Sequence, residues 1–445
     1  MAKGAELQGA SVPLPGAGAR EHEIAREPNR LFKMLRVVGP GLVTGASDDD
    51  PSGVGTYAVA GASLGYSTLW TILFTLPLMA ATQFISAKVG MVTGKGLTGV
   101  LREHYPRVVL YPAILGLVVA NTINAGADIG AIGAAINLLV PIPIVALVLP
   151  ISLLIVALQV WGSYRLIASI FKWITLALFA YVGASLFAKP HLPDVLRGTF
   201  IPMLRFDRTF LSVLVALLGT TISPYMWFWQ ASQEVEELIS IGQRRLWQRR
   251  GATDCELTYA AWDINIGMFL SNLIAYSIIL TTAATLYTHG KTDIKSAADA
   301  AAALRPFVGN AARTLFALGL IGAGFLAVPI LTGSAAYAVA EAYGWRHGLD
   351  RKPYRAREFY AVIVGSTLVG MLINYVGINT IDALFWTAII NGFLTPPLLV
   401  LLMLISNNPE VMGKRVNGMA LNVVGWSTTV VMTAAVVALA ATWGR

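Results

Sequence analysis

The residues most able to do chemistry stand at 45–55, GASDDDPSGVG, where three adjacent aspartates and a proline interrupt an apolar stretch. Leu42 and Val43 precede the interruption and YAVAGASLG follows it from Tyr57. An ionised carboxylate at membrane depth costs about 2.5–3.5 kcal/mol on insertion scales unless it is solvated or paired, and a bound cation offsets that cost. Asp before Pro is also a helix-start signal, so capping and metal ligation are compatible readings of Asp50. Asp49 reads as a second acid lining the same cavity, and Asp48 as facing another helix or water. A second interruption lies in GTTISPYMWFWQASQEVEE, residues 219–237. There Ser223-Pro224 falls where a helix should continue, and proline both removes a backbone donor and clashes with the preceding turn. Thr220 and Thr221 lie one turn earlier. Their hydroxyls either bond their own backbone or, with unwound carbonyls nearby, face whatever the break holds.

What must position these groups is a membrane bundle. Of 445 residues, 56% are hydrophobic and 13% charged, about half the charge of an ordinary soluble domain. Runs of bilayer-spanning length recur along the chain. Eleven spans are expected, at 36–64, 67–90, 107–139, 141–161, 164–188, 209–236, 257–289, 309–343, 357–377, 380–405 and 417–442. Residues 1–35 carry no signal-peptide core and read as a disordered cytoplasmic tail. Most of the 32 Lys and Arg fall in loops that are cytoplasmic if the N-terminus is inside, including Arg244, Arg245, Arg249 and Arg250. The net charge of +8 is therefore topological and not a nucleic-acid patch. The single Cys255 excludes an internal disulfide. The two breaks belong to spans one and six, so five spans separate them and the second half must be inserted upside down. Broken helices at matching positions of inverted halves point to a midplane site in a secondary transporter.

The segment VGPGLVTGASDDDPSGVGTYAVAGASLGY resembles the first transmembrane segment of the Nramp family of divalent-metal transporters, and span six resembles that family's MPH-containing helix. The resemblance runs from about residue 36 to the end. It implies an all-α, LeuT-like inverted five-plus-five fold: a first repeat at 36–188, a second at 209–405 and an extra helix at 417–442. Departures from the family pattern bear on selectivity. Where the family has DPGN, this chain has Asp50-Pro51-Ser52-Gly53; where it has MPH, this chain has Ser223-Pro224-Tyr225. Asn124-Ala125-Gly126-Ala127-Asp128 stands at the family's Asp-x-x-Glu pair, so one acid is lost and the other is shortened to Asp128. Span nine, FYAVIVGSTLVGMLI, lacks an arginine that many members keep. The pattern resembles the Nramp-related magnesium transporters.

Ligand hardness agrees. Thioethers favour soft ions, whereas oxygen donors suit Mg2+, Ca2+ and Mn2+. A hydroxyl at Ser223 and the space left by Gly53 suit Mg2+, which dehydrates reluctantly and keeps several waters. The expected metal-site residues are Asp50, Asp49, Gly53, Thr220 and Ser223, with Asp128, Asn124, Tyr225 and Asn391 along the permeation path. Asp263 and Asp382 are further acids in apolar spans, and each needs a partner or water. Asn121 and Asn272 read as helix-to-helix bridges. The five histidines fall in loops or at span ends, so none reads as a midplane relay.

The expected function is secondary transport of Mg2+ and Mn2+ across the cell membrane, uncoupled from protons, by a monomer or weak oligomer with no cofactor. A proton-coupled Mn2+/Fe2+ importer is the alternative. An amino-acid symporter of the same fold is disfavoured, because three aspartates repel a substrate carboxylate. No nucleophile–base–acid set suggests an enzyme.

Overall fold

The computed structural model describes residues 40–162, 176–188, 190–349 and 351–442. The expected tail at 1–35 and the first half of span five lie outside the described residues. Among the described residues there is no strand, and nine helical runs are long and apolar enough to cross a membrane.

The helices follow the local chemistry. The first span is α1 (Pro40–Asp48) and α2 (Pro51–Leu64), separated by residues 49–50. Then come α3 (Leu69–Thr93), α4 (Leu97–His104), α5 (Arg107–Leu139), α6 (Ile144–Trp161), α7 (Ala180–Phe187) and α8 (Leu192–Phe200). The sixth span is α9 (Arg208–Thr221) and α10 (Pro224–Ser240), again parted by two residues. The remaining long helices are α11 (Asp254–Thr285), α12 (Ala312–Tyr343), α13 (Arg357–Leu372), α14 (Thr380–Asn407) and α15 (Met419–Thr442). Both second half-helices begin with proline at the first turn, where its missing N–H costs nothing. A capping box between Thr253 and Glu256 starts α11.

The outer helices expose apolar side chains that no soluble protein leaves in contiguous belts: Leu115 and Val119 on α5, Leu153 and Leu154 on α6, and Val423, Val430 and Val437 on α15. Helices α9 and α10, by contrast, are buried almost throughout. Inside, several crossings bring backbones together with no room for a side chain: Gly45 on Gly267, Gly126 on Gly370, and Gly219 on Gly392. Small residues at such crossings are how membrane helices gain close contact. The extra helix α15 packs on α14 and α3. A buried polar chain lies at its start: Lys88 Nζ donates to Asn417 Oδ1 at 2.7 Å, and Asn417 Nδ2 donates to Ser406 Oγ at 2.8 Å.

Candidate functional site

The two breaks face one another in the interior. Asp50 occupies the N-cap of α2, in extended backbone, and Gly53 N donates to its Oδ1 at 2.6 Å. Ser52 Oγ donates to the same oxygen at 2.8 Å. The other oxygen, Oδ2, accepts from Asn124 Nδ2 at 3.3 Å and from the Tyr225 hydroxyl at 3.4 Å. Tyr225 also reaches the Ser47 carbonyl at 3.4 Å, so it bridges the end of α1 and the start of α2 from across the site. Capping is therefore present. It engages one carboxylate oxygen strongly and leaves the second only long contacts.

Ser223 holds the equivalent place at α10, yet its hydroxyl does not cap that helix. It donates backwards to the carbonyls of Gly219 and Thr220, each at 2.8 Å, so its oxygen lone pairs face away from its own backbone. Thr220 Oγ1 comes close to Gly53: a Cβ built there would lie 3.2 Å from that hydroxyl, 3.2 Å from the Asp48 carbonyl and 3.3 Å from Asp50 Oδ1. The absence of a side chain at residue 53 thus leaves a space lined by three oxygens. Thr221, by contrast, bonds its own backbone at Leu217 and Leu218.

Asp48 and Asp49 turn to α11. Ser271 Oγ donates to Asp48 Oδ2 at 2.6 Å and lies 3.3 Å from Asp49 Oδ1. Asp128, wholly buried on α5, lies within electrostatic reach of Asp50 and of the Ser52 amide at the start of α2. Asn391 is buried on α14 but joins none of the hydrogen bonds around Asp50. Toward the basic end, Thr44 Oγ1 and Gln83 Nε2 donate to Gln230 Oε1 at 2.7 and 3.2 Å, and Gln230 Nε2 donates to Glu234 at 2.8 Å. The Thr44 and Gln83 bonds to Gln230, between neutral groups, tie α1, α3 and α10 together.

Other expectations sort plainly. Asp263 is buried, and the Gly41 and Leu42 amides are among its partners. Asp382 is exposed in the first turn of α14, not an acid inside the span, because the apolar run continues beyond the point where the helix reaches the surface. Asn121 bridges to the Leu331 carbonyl and Asn272 to the Met79 sulfur, as helix-to-helix contacts. The described histidines lie at helix ends or in loops, and His22 falls outside the described residues. Ser52, Ser271 and Gln230 were not legible as site neighbours. A serine or glutamine in an apolar span signals a hydrogen bond, but not its partner.

A bundle with a lipid-facing apolar belt and two facing helix breaks defines a multi-pass membrane transporter of the LeuT-like class. The profile of the Nramp family, described as natural resistance-associated macrophage protein-like, matches residues 41–442. The chain belongs to the Nramp family, whose members are transporters and not enzymes. It is 29% identical over 410 residues to the divalent metal cation transporter MntH of Klebsiella pneumoniae (strain 342), covering 88% of this chain and 90% of that one. Among solved structures, a manganese transporter of Eremococcus coleocola bound to an aromatic bis-isothiourea compound superposes with a TM-score of 0.72 at 18% identity, covering 97% and 90% of the two chains. The nucleobase-cation-symport-1 family transporter Mhp1, in a closed conformation, does so with a TM-score of 0.53 at 14% identity, covering 91% and 93%. These last two likenesses concern the fold.

Proposed function

We propose that this transporter carries divalent metal cations, Mg2+ foremost and Mn2+ with it, by alternating access and without proton coupling. The observation that carries the reading is the setting of Asp50: every group in hydrogen-bond reach of its carboxylate is a hydroxyl or an amide. Asp50 is the principal ligand. Asp49, Thr220 and Ser223 add oxygen donors, and Gly53 leaves room for an ion that keeps part of its water. Asp128, Asn124, Tyr225 and Asn391 line the path. The likeness to a divalent metal cation transporter supports the substrate class. The donor set supports the hard-metal preference. The positive-inside pattern supports an N-terminus in the cytoplasm, and the plasma membrane is the expected location. Residues 36–188 and 209–405 are read as the two repeats, with 417–442 appended.

An inside-negative potential of 100 mV contributes about 4.6 kcal/mol for a double charge, twice the single-charge value, which drives accumulation without protons. The test separates capping from ligation. Asn caps a helix as well as Asp does, so Asp50→Asn should keep the fold and melting temperature while abolishing saturable Mg2+ uptake into proteoliposomes. Undiminished uptake would remove Asp50 from the site. Uptake of a zwitterionic amino acid, with none of either metal, would overturn the substrate class.

One observation favours a second reading, the proton-coupled Mn2+/Fe2+ importer: Asp128 is a fully buried acid within electrostatic reach of Asp50. A pH-sensitive dye inside the vesicles decides. Metal-dependent acidification that disappears in Asp128→Asn establishes coupling and defeats the uncoupled reading.

A further inference from the structure

We propose that Asp263 is a positioning residue for the ion site: with Ser271 it clamps α1 along α11 and so fixes where Ser47, Asp49 and Asp50 stand. The two half-turn contacts that define the clamp lie at opposite ends of α1. At the start, Asp263 accepts from Gly41 N at 2.7 Å and from Leu42 N at 3.2 Å. These amides stand in the first described turn of α1, and both point at the carboxylate. A carboxylate that accepts from two amides makes charge-assisted bonds with both. At the other end, Ser271 holds Asp48 and Asp49. Between them Gly45 and Gly267 meet backbone to backbone.

The three contacts share one register. Residue 41 meets 263, 45 meets 267 and 48 meets 271, so α1 and α11 run parallel with matching faces. Asp263 and Ser271 are eight residues apart, about 12 Å along the helix, and Gly41 and Asp48 are seven apart, about 10.5 Å. The nine described residues of α1 are thereby held at Gly41, Gly45 and Asp48. Gly41 permits the approach: a Cβ there would lie 2.8 Å from Asp263 Oδ2 and from Ile264 N. Toward α10 and α3, α1 has instead the neutral Thr44–Gln230 bond and its Gln83 neighbour. Charge-assisted bonds are about twice as strong as neutral ones, so α1 keeps its place on α11 and yields first on the side of α3 and α10.

The ion-binding part of this proposal rests on the reading of Asp50 as a ligand, so the experiment has one arm that needs no metal. Hydrogen–deuterium exchange of the ion-free, full-length protein should show the amides of α1 exchanging at least tenfold faster in Asp263→Ala, with α2 and α13 unchanged. Titration calorimetry with Mn2+ should then show about tenfold weaker binding by the folded variant. If the alanine variant does not fold, Asp263→Asn decides. It keeps one acceptor oxygen and should show both effects at about threefold. Unchanged exchange in α1 overturns the clamp, and faster exchange with unaltered affinity overturns its positioning role. Absence of Mn2+ binding by the unsubstituted protein refutes the metal-site reading and leaves the exchange result to judge the clamp.

Discussion

Adding a single methyl group at residue 53 tests where the ion sits. In Gly53→Ala the new Cβ would lie 3.2–3.3 Å from three oxygens: the Asp48 carbonyl, Thr220 Oγ1 and Asp50 Oδ1. Those contacts are a few tenths of an ångström tighter than ordinary van der Waals distance, so the neighbours must shift by about that much. Overpacking of this kind costs about 1–3 kcal/mol. Replacing glycine by alanine in a helix returns up to about 1 kcal/mol. The fold should therefore lose between about zero and 3 kcal/mol and remain intact. Ion binding should suffer more, because Mg2+ demands near-ideal geometry at about 2.0–2.1 Å, and displaced oxygens cannot supply it. A tenfold or greater loss of affinity is expected, about 1.4 kcal/mol or more. Gly53→Asn brings the same Cβ but also an amide oxygen, so it should bind better than the alanine variant despite being larger. The assay is Mg2+ competition against Mn2+ uptake in proteoliposomes, beside a melting curve for each variant. Wild-type affinity in Gly53→Ala, or an asparagine variant weaker than the alanine one, would refute the claim that this space is the ion's seat.

Two further outcomes are expected. Ser223→Met with Gly53→Asn should raise affinity for Mn2+ or Cd2+ relative to Mg2+, since a thioether prefers softer ions; calorimetry showing no such gain would defeat the hardness argument. At the junction with α15, Asn417→Leu strands the buried Lys88 ammonium and should cost about 2–3 kcal/mol. Lys88→Met removes the charge itself and should cost less, so a thermal melt in which the methionine variant is the weaker of the two would contradict the role given to that bond.

Much of the scaffold was legible because its signals are local. Asp50-Pro51 and Ser223-Pro224 mark both breaks through chemistry that acts within one turn, and the structure starts α2 and α10 on those prolines. The third span matches its expected bounds, 107–139, because Pro106 precedes it and Pro141 soon follows. The pairings across the site were not legible. Nothing near Asp48 names Ser271, 223 residues away, as its donor. Asp263 was recognisable as an acid in need of a partner, but backbone amides leave no trace in side-chain identity. Asp382 misled because hydropathy measures a run's length and not where its first turn meets solvent. Tyr225 was read as a lost histidine, and its reach to both Asp50 and Ser47 depends on how the two halves face each other.

The glycine crossings also determine how a loss-of-function screen on this protein would look. Gly45, Gly126, Gly219, Gly267, Gly370 and Gly392 tolerate no added carbon, because the atom met is the neighbouring helix's backbone, which has no rotamer to change. None of these six makes any of the hydrogen bonds that surround Asp50's carboxylate. In a saturation library, substitutions at these positions would register as inactive as surely as those at Asp50. A map of sensitive residues would then trace the seams between helices as strongly as the route of the ion. Separating the two requires scoring surface expression beside uptake: seam variants should disappear from the membrane, whereas site variants should be present and silent.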